Sequence, residues 1–114
     1  MDSAERRHVT VMFADLVGST ALFARMDPED LREVIAAYQQ CVAATVNRFD
    51  GFVAKYMGDG VLCYFGWPRA HEDDPERAVR TALAVAMAVG ALKTPSGETL
   101  AARTGIATAL WSAI

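Results

Sequence analysis

Cysteine, histidine, basic charge and long apolar runs are all scarce in this chain, and each scarcity removes a class of function. The two cysteines, Cys41 and Cys63, lie inside a helical and a strand pattern with no metal-binding spacing. They read as small buried hydrophobes of a reducing compartment, without chemistry of their own. His8 and His71 are isolated, with no second ligand at metal spacing. The longest apolar run, Ala82 to Leu92, is too short to span a bilayer, and the N-terminal MDSAERRHV lacks the apolar core of a signal peptide. Together these features predict a cytoplasmic chain with no membrane segment. Eleven Lys and Arg stand against fourteen Asp and Glu, a net charge of −3 without a basic stripe. That balance argues against a nucleic-acid module built on a broad cationic face.

What is abundant is apolar surface: 53% of 114 residues are hydrophobic and 22% charged, enough for one soluble globular domain with a packed core, spanning residues 1–114. Val9, Val11 and Phe13 alternate in a run of strand formers that ends at Asp15-Leu16, predicting a buried first strand. Gly18 then breaks the chain, and Ser19 or Thr20 is offered as the N-cap of a short helix over ALFARM.

From Asp27 the punctuation is strong: an N-cap, Pro28 at the first helical position, acids in the first turn and a stop at Gly51. Leu31, Val34, Ile35, Tyr38, Val42, Val46 and Phe49 make one apolar stripe. A hairpin follows, Phe52–Met57 and Val61–Phe65, and Trp67-Pro68 packs the loop after it. The segment HEDDPERA reads as a helix start, opening a second helix from about Pro75 to Leu92 that is apolar nearly all round. A polar turn, KTPSGE, precedes a last strand from Leu100 to about Ala109, and Arg6 and Arg7 read as surface charges with a weak option on phosphate.

Strand, helices, strand, strand, helix, strand is the order of a split β-α-β unit, so the expected class is α+β, ferredoxin-like. Asp59 sits between two glycines in the hairpin AKYMGDGVLCYFG. Asp-Gly is a favoured turn pair, which gives Asp59 a purely structural reading. The topology adds a second one. A right-handed crossover puts the end of the first strand and the hairpin tip at one sheet edge, bringing Asp15 and Asp59 together. Two crowded carboxylates call for a divalent cation, and hard oxygen ligation suits Mg²⁺ or Mn²⁺. Beside them DLVGST turns sharply into a helix start, a place for phosphate.

These stretches, VMFADLVGST, FVAKYMGDGVLCYFG and HEDDPERAVRTAL, resemble the catalytic domain of class III adenylate/guanylate cyclases, in that family's order, from about Arg7 to Ala107. The resemblance implies a nucleotidyl cyclase-like fold. It implies that Asp15 and Asp59, with the backbone carbonyl of Leu16, bind two Mg²⁺ or Mn²⁺ ions. Gly18, Ser19 and Thr20 would receive the β- and γ-phosphates. The ribose 3′-hydroxyl would attack the α-phosphorus, giving a 3′,5′-cyclic nucleotide and pyrophosphate. Lys55 matches the purine-contacting position, where lysine goes with adenine, so ATP is favoured over GTP; an ammonium donates to adenine N1, whereas guanine presents an N–H there.

Class III cyclases work as head-to-tail dimers, which implies a homodimer for the full-length protein. After RTGIAT the tail ALWSAI departs from the family, whose members continue with a glycine, an apolar strand and a further half-domain carrying transition-state groups. The expectation is an N-terminal portion of the domain, inactive or nearly so alone, with a reading-frame shift in the tail that the coding DNA tests. Two rivals stand beside the cyclase: a catalytically silent regulatory or dimerising module, and a palm-type nucleotidyl transferase, which the acidic balance disfavours.

Overall fold

The computed structural model describes residues 6–94 and 97–112, leaving aside the side chains of Arg6, Trp111 and Ser112. The outermost residues of the N-terminal stretch and of the tail, and part of the 93–98 turn, lie outside the described residues. The elements are β1 (Arg6–Leu16), α1 (Ser19–Ala24), α2 (Pro28–Arg48), β2 (Phe52–Met57), β3 (Gly60–Phe65), α3 (Asp74–Gly90) and β4 (Ala102–Ser112).

The four strands form one sheet in the order β2-β3-β1-β4, with every neighbouring pair antiparallel. Since β1 and β2 both oppose β3, they are parallel to one another with β3 inserted between them. This is the split β-α-β arrangement expected from the sequence.

Alternation along β1 decides the two faces. Met12, Ala14 and Leu16 are buried against the helices, with Val61, Cys63 and Phe65 of β3 beside them. From α2 come Val34, Tyr38, Val42 and Val46, and from α3 come Ala78, Ala82, Val85 and Val89, each set at helical spacing. Burial of each large member stabilises the fold by about 1.5–3 kcal/mol. The alternate residues Val11, Phe13 and Asp15 point to the opposite, helix-free face. There Trp67 stands edge-on to Phe52 and Tyr64, at ring-centroid distances of 5.3 and 6.1 Å.

Several boundaries differ from the sequence reading. β1 starts at Arg6 rather than Val9, and β4 ends at Ser112 rather than Ala109, because the two strands pair along their whole length, from Arg6↔Ser112 to Leu16↔Ala102. A ladder partner holds Arg-Arg-His in a strand that apolar alternation does not reveal. α1 is capped by Gly18, not by Ser19 or Thr20: Gly18 takes a left-handed φ of 66° and its carbonyl accepts from Leu22 N–H at 3.1 Å. Around α3 the apolar surface is only partly covered, and Val79, Leu83 and Met87 remain 49, 64 and 78% exposed.

The segment before α3 is a helix start, as read, but His71 is not isolated. Its Nε2 lies 3.0 Å from Asp50 Oδ2, and its backbone N–H donates to Asp74 Oδ2 at 2.9 Å. Buried Arg77 donates to Asp74 Oδ1 at 3.1 Å and also to Asp73. Arg7, read as a surface charge, donates instead to the carbonyls of Gly66 and Pro68 at 3.0 and 2.8 Å, fastening the loop after β3.

Gly66 sits where that loop crosses β1, with φ 106°, and a Cβ there would meet the His8 carbonyl oxygen at 2.8 Å and Asp74 Oδ2 at 3.0 Å. Neither neighbour can yield freely. Gly66→Ala is expected to destabilise the protein by about 3 kcal/mol, a fall in Tm of about 10–20 °C by scanning calorimetry.

Candidate active site

β1 delivers two functional groups at its end because successive residues face opposite sides. Leu16 buries its side chain in the core, while Asp15 turns to the helix-free face and is partly exposed. Directly across the β1/β4 ladder, Arg103 grips Asp15 with two donors, Nε to Oδ1 at 3.3 Å and Nη2 to Oδ2 at 3.4 Å.

The hairpin between β2 and β3 closes on the pair Met57↔Gly60, so its two turn residues are Gly58 and Asp59. The sequence reading left Gly58, Asp59 and Gly60 between the strands, with Asp59-Gly60 as the favoured turn pair. Positive φ falls on Gly58, at 60°, as the first position of a type II′ turn requires, and Gly60 already belongs to β3. Asp59 is thus left to project from the tip. Its Oδ2 accepts a hydrogen bond from the Leu16 backbone N–H at 3.3 Å. The strand end and the hairpin tip meet as expected, with Asp15 and Asp59 flanking one backbone amide. From below, Gln39 of α2 donates from Nε2 to the Gly58 carbonyl at 3.0 Å and fixes the turn.

Gly18, Ser19 and Thr20 follow at the start of α1, close in sequence to Asp15 and on the same edge. Lys55 stands apart. It is exposed on β2, opposite Leu62, which in turn faces Phe13 of β1. Cross-strand partners share a face, so Lys55 lies on the same helix-free face as Asp15, two strands away, and Arg103, three strands away.

Two residues near the carboxylates escaped the sequence reading in this role. Arg103 has no local signal, because only the β1/β4 register places it on Asp15. Tyr38 was read as one of the core stripe, and it is 0% exposed, yet its hydroxyl has no hydrogen-bond partner. Burial, then the negative charges of Asp59 and Asp15, raise the phenol pKa well above its usual value. Burial also pushes the Cys63 thiol up to about 12, so this cysteine is inert near neutrality, as read.

Among the described residues, no three His, Cys, Asp or Glu side chains come together around a metal position. Asp15 and Asp59, with the Leu16 carbonyl, are the groups at this edge that would hold a cation. That set fits a hard divalent cation that keeps several waters, such as Mg²⁺ or Mn²⁺.

The split β-α-β sheet, with a strand end and a hairpin tip meeting at one edge, is the architecture of a known class of protein. The family model described as adenylate and guanylate cyclase catalytic domain matches residues 1–112, and the chain belongs to that family. An uncharacterized protein of Mycobacterium tuberculosis is 37% identical over 82 residues, covering 72% of this chain and 15% of that protein. The non-canonical dimeric guanylyl cyclase domain of the RhoGC fusion protein from Blastocladiella emersonii superposes with a TM-score of 0.87 at 25% identity, over 94% of this chain and 61% of that one. The guanylate cyclase domain of RhGC from Catenaria anguillulae, solved in complex with GTP, gives 0.86 at 26% identity, over 94% and 59%. This chain spans about three fifths of those solved domains. No helix among the described residues is long and apolar enough to cross a membrane.

Proposed function

We propose that the chain forms the metal- and phosphate-binding part of a nucleotidyl cyclase that converts ATP to 3′,5′-cyclic AMP and pyrophosphate in intracellular signalling. The observation that carries this reading is the hydrogen bond from Leu16 N–H to Asp59 Oδ2, which gathers Asp15 and Asp59 at one sheet edge. Two bound Mg²⁺ or Mn²⁺ ions would supply Lewis-acid activation of the ribose 3′-hydroxyl and charge neutralisation of the triphosphate.

This chain's residues do the rest. Asp15, Asp59 and the Leu16 carbonyl hold the cations, and Gly18, Ser19 and Thr20 orient the β- and γ-phosphates. With the triphosphate so fixed, the ribose 3′-oxygen would form its bond to the α-phosphorus as the bond to pyrophosphate breaks, its proton passing to solvent water. Lys55 donates to adenine N1. Its place on the helix-free face, two strands from Asp15, supports a head-to-tail homodimer in which one copy's Lys55 serves the other copy's carboxylates.

The test is a cyclase assay on a chain extended to the full span of the solved domains, with Mn²⁺ and either ATP or GTP. ATP is expected to be preferred, and Lys55→Glu to move the preference toward GTP by about ten- to a hundredfold. An unchanged preference in Lys55→Glu would remove that residue from the purine site. The 114-residue protein alone, spanning about three fifths of such a domain, is expected to turn over little; robust cyclic AMP from it would overturn that expectation.

A further inference from the structure

Tyr38 carries a buried hydroxyl that satisfies no partner, in a protein whose other buried polar side chains are paired among the described residues. An unpaired buried O–H is unfavourable, and phenylalanine would fill the same space without that cost. The position is not remote. Gln39, the next residue on α2, bonds the carbonyl of Gly58 in the turn that carries Asp59. Both Asp59 and Asp15 are near enough for their charges to act on the phenol. An ionised carboxylate only accepts hydrogen bonds, so a phenol O–H facing it acts as the donor.

We propose that Tyr38 is a positioning residue for the metal site: with a divalent cation bound, its O–H donates, directly or across one water, to an Asp59 carboxylate oxygen that the ion leaves free. The inference rests on the reading of Asp15 and Asp59 as metal ligands. In the structure described, Leu16 N–H holds one Asp59 oxygen at 3.3 Å. An ionised carboxylate has room for further donors, and a ligating carboxylate needs them to keep its orientation.

The test uses Mn²⁺ alone as the probe, on the 114-residue protein, its Tyr38→Phe variant and its Asp59→Asn variant. Binding is followed by electron paramagnetic resonance of free Mn²⁺, and metal-free melting by circular dichroism. Tyr38→Phe is expected to melt at the same or a higher temperature without metal, yet to bind Mn²⁺ about tenfold more weakly. Near-ultraviolet tyrosine absorbance should shift on Mn²⁺ addition to the unmodified protein and lose that shift in Tyr38→Phe. Equal Mn²⁺ affinity in Tyr38→Phe, with loss of binding in Asp59→Asn, would overturn the role of Tyr38 and leave the metal reading standing. A markedly lower metal-free melting temperature in Tyr38→Phe would also overturn it, by showing that the hydroxyl serves the fold. Wild type and Asp59→Asn binding Mn²⁺ alike, or not at all, would sink the metal reading and this inference with it.

Discussion

Replacing Asp59 by Asn is expected to lower cyclic AMP formation by about 10²- to 10³-fold in a chain extended to the span of the solved cyclase domains, the scale on which loss of one preorganised charge partner acts. The argument is one of charge without shape. Asn keeps the size of Asp, and its carbonyl oxygen can still accept the Leu16 N–H that now reaches Asp59 Oδ2 at 3.3 Å. Positive φ in this turn falls on Gly58, so the hairpin makes no demand on residue 59 that Asn fails to meet. Fold and melting temperature should therefore hold while divalent-ion binding is lost. Asp15→Asn should behave in the same way at the ion, and it also costs Arg103 one of its two acceptors and the charge it pairs with. Steady-state kinetics beside a melting curve decide the matter. An Asp59→Asn enzyme that keeps its activity would remove this carboxylate from the chemistry, and one that unfolds would make it a turn former.

The second large effect concerns stability. Arg77→Ala is expected to cost about 3–5 kcal/mol in urea unfolding, because it leaves the buried Asp74 carboxylate without its charged partner. The side chains of Arg77 and Asp74 are 10% and 7% exposed, and their contact is 3.1 Å. Asp74 also holds the His71 N–H and touches the crossing at Gly66, so the loop between β3 and α3 should loosen with it. Arg77→Met combined with Asp74→Leu should recover much of the loss, since apolar residues that replace both charges leave neither one stranded. Arg77 has a second role at acid pH. Its hydrogen bond to Asp73, more than its charge, holds the Asp73 carboxyl below the usual carboxylate range. A lowered folded-state pKa stabilises the fold above the unfolded value, and that contribution is lost as pH falls through the lowered one. In Arg77→Ala this acid limb of the stability profile should flatten.

How far each feature was legible follows from the range of the forces behind it. The α2 boundaries were readable because Asp27, Pro28, the acids of the first turn and Gly51 act within a few residues of the backbone they terminate. The extent of β1 and β4 was not, because Arg6, Arg7 and His8 become strand only when a distant segment offers them a ladder. The same limit applied to Gly18, where the left-handed backbone itself supplies the cap that a hydroxyl was expected to give. His71 and Arg7 looked idle for a like reason: their partners, Asp50 and Asp74 for one and two loop carbonyls for the other, are assembled only by folding.

By itself the sequence determined the element order, the apolar stripes of α2, the split β-α-β topology and the convergence of Asp15 and Asp59, since alternation, helical spacing and the handedness of a crossover are properties of a chain in water. Tertiary structure alone decided that Arg103 sits on Asp15, that Gly58 rather than Gly60 bends the hairpin, and that the Tyr38 hydroxyl lies buried and unpaired near the carboxylates. Those depend on strand register and on the depth at which α2 packs, quantities set by the summed fit of many side chains and by no single residue.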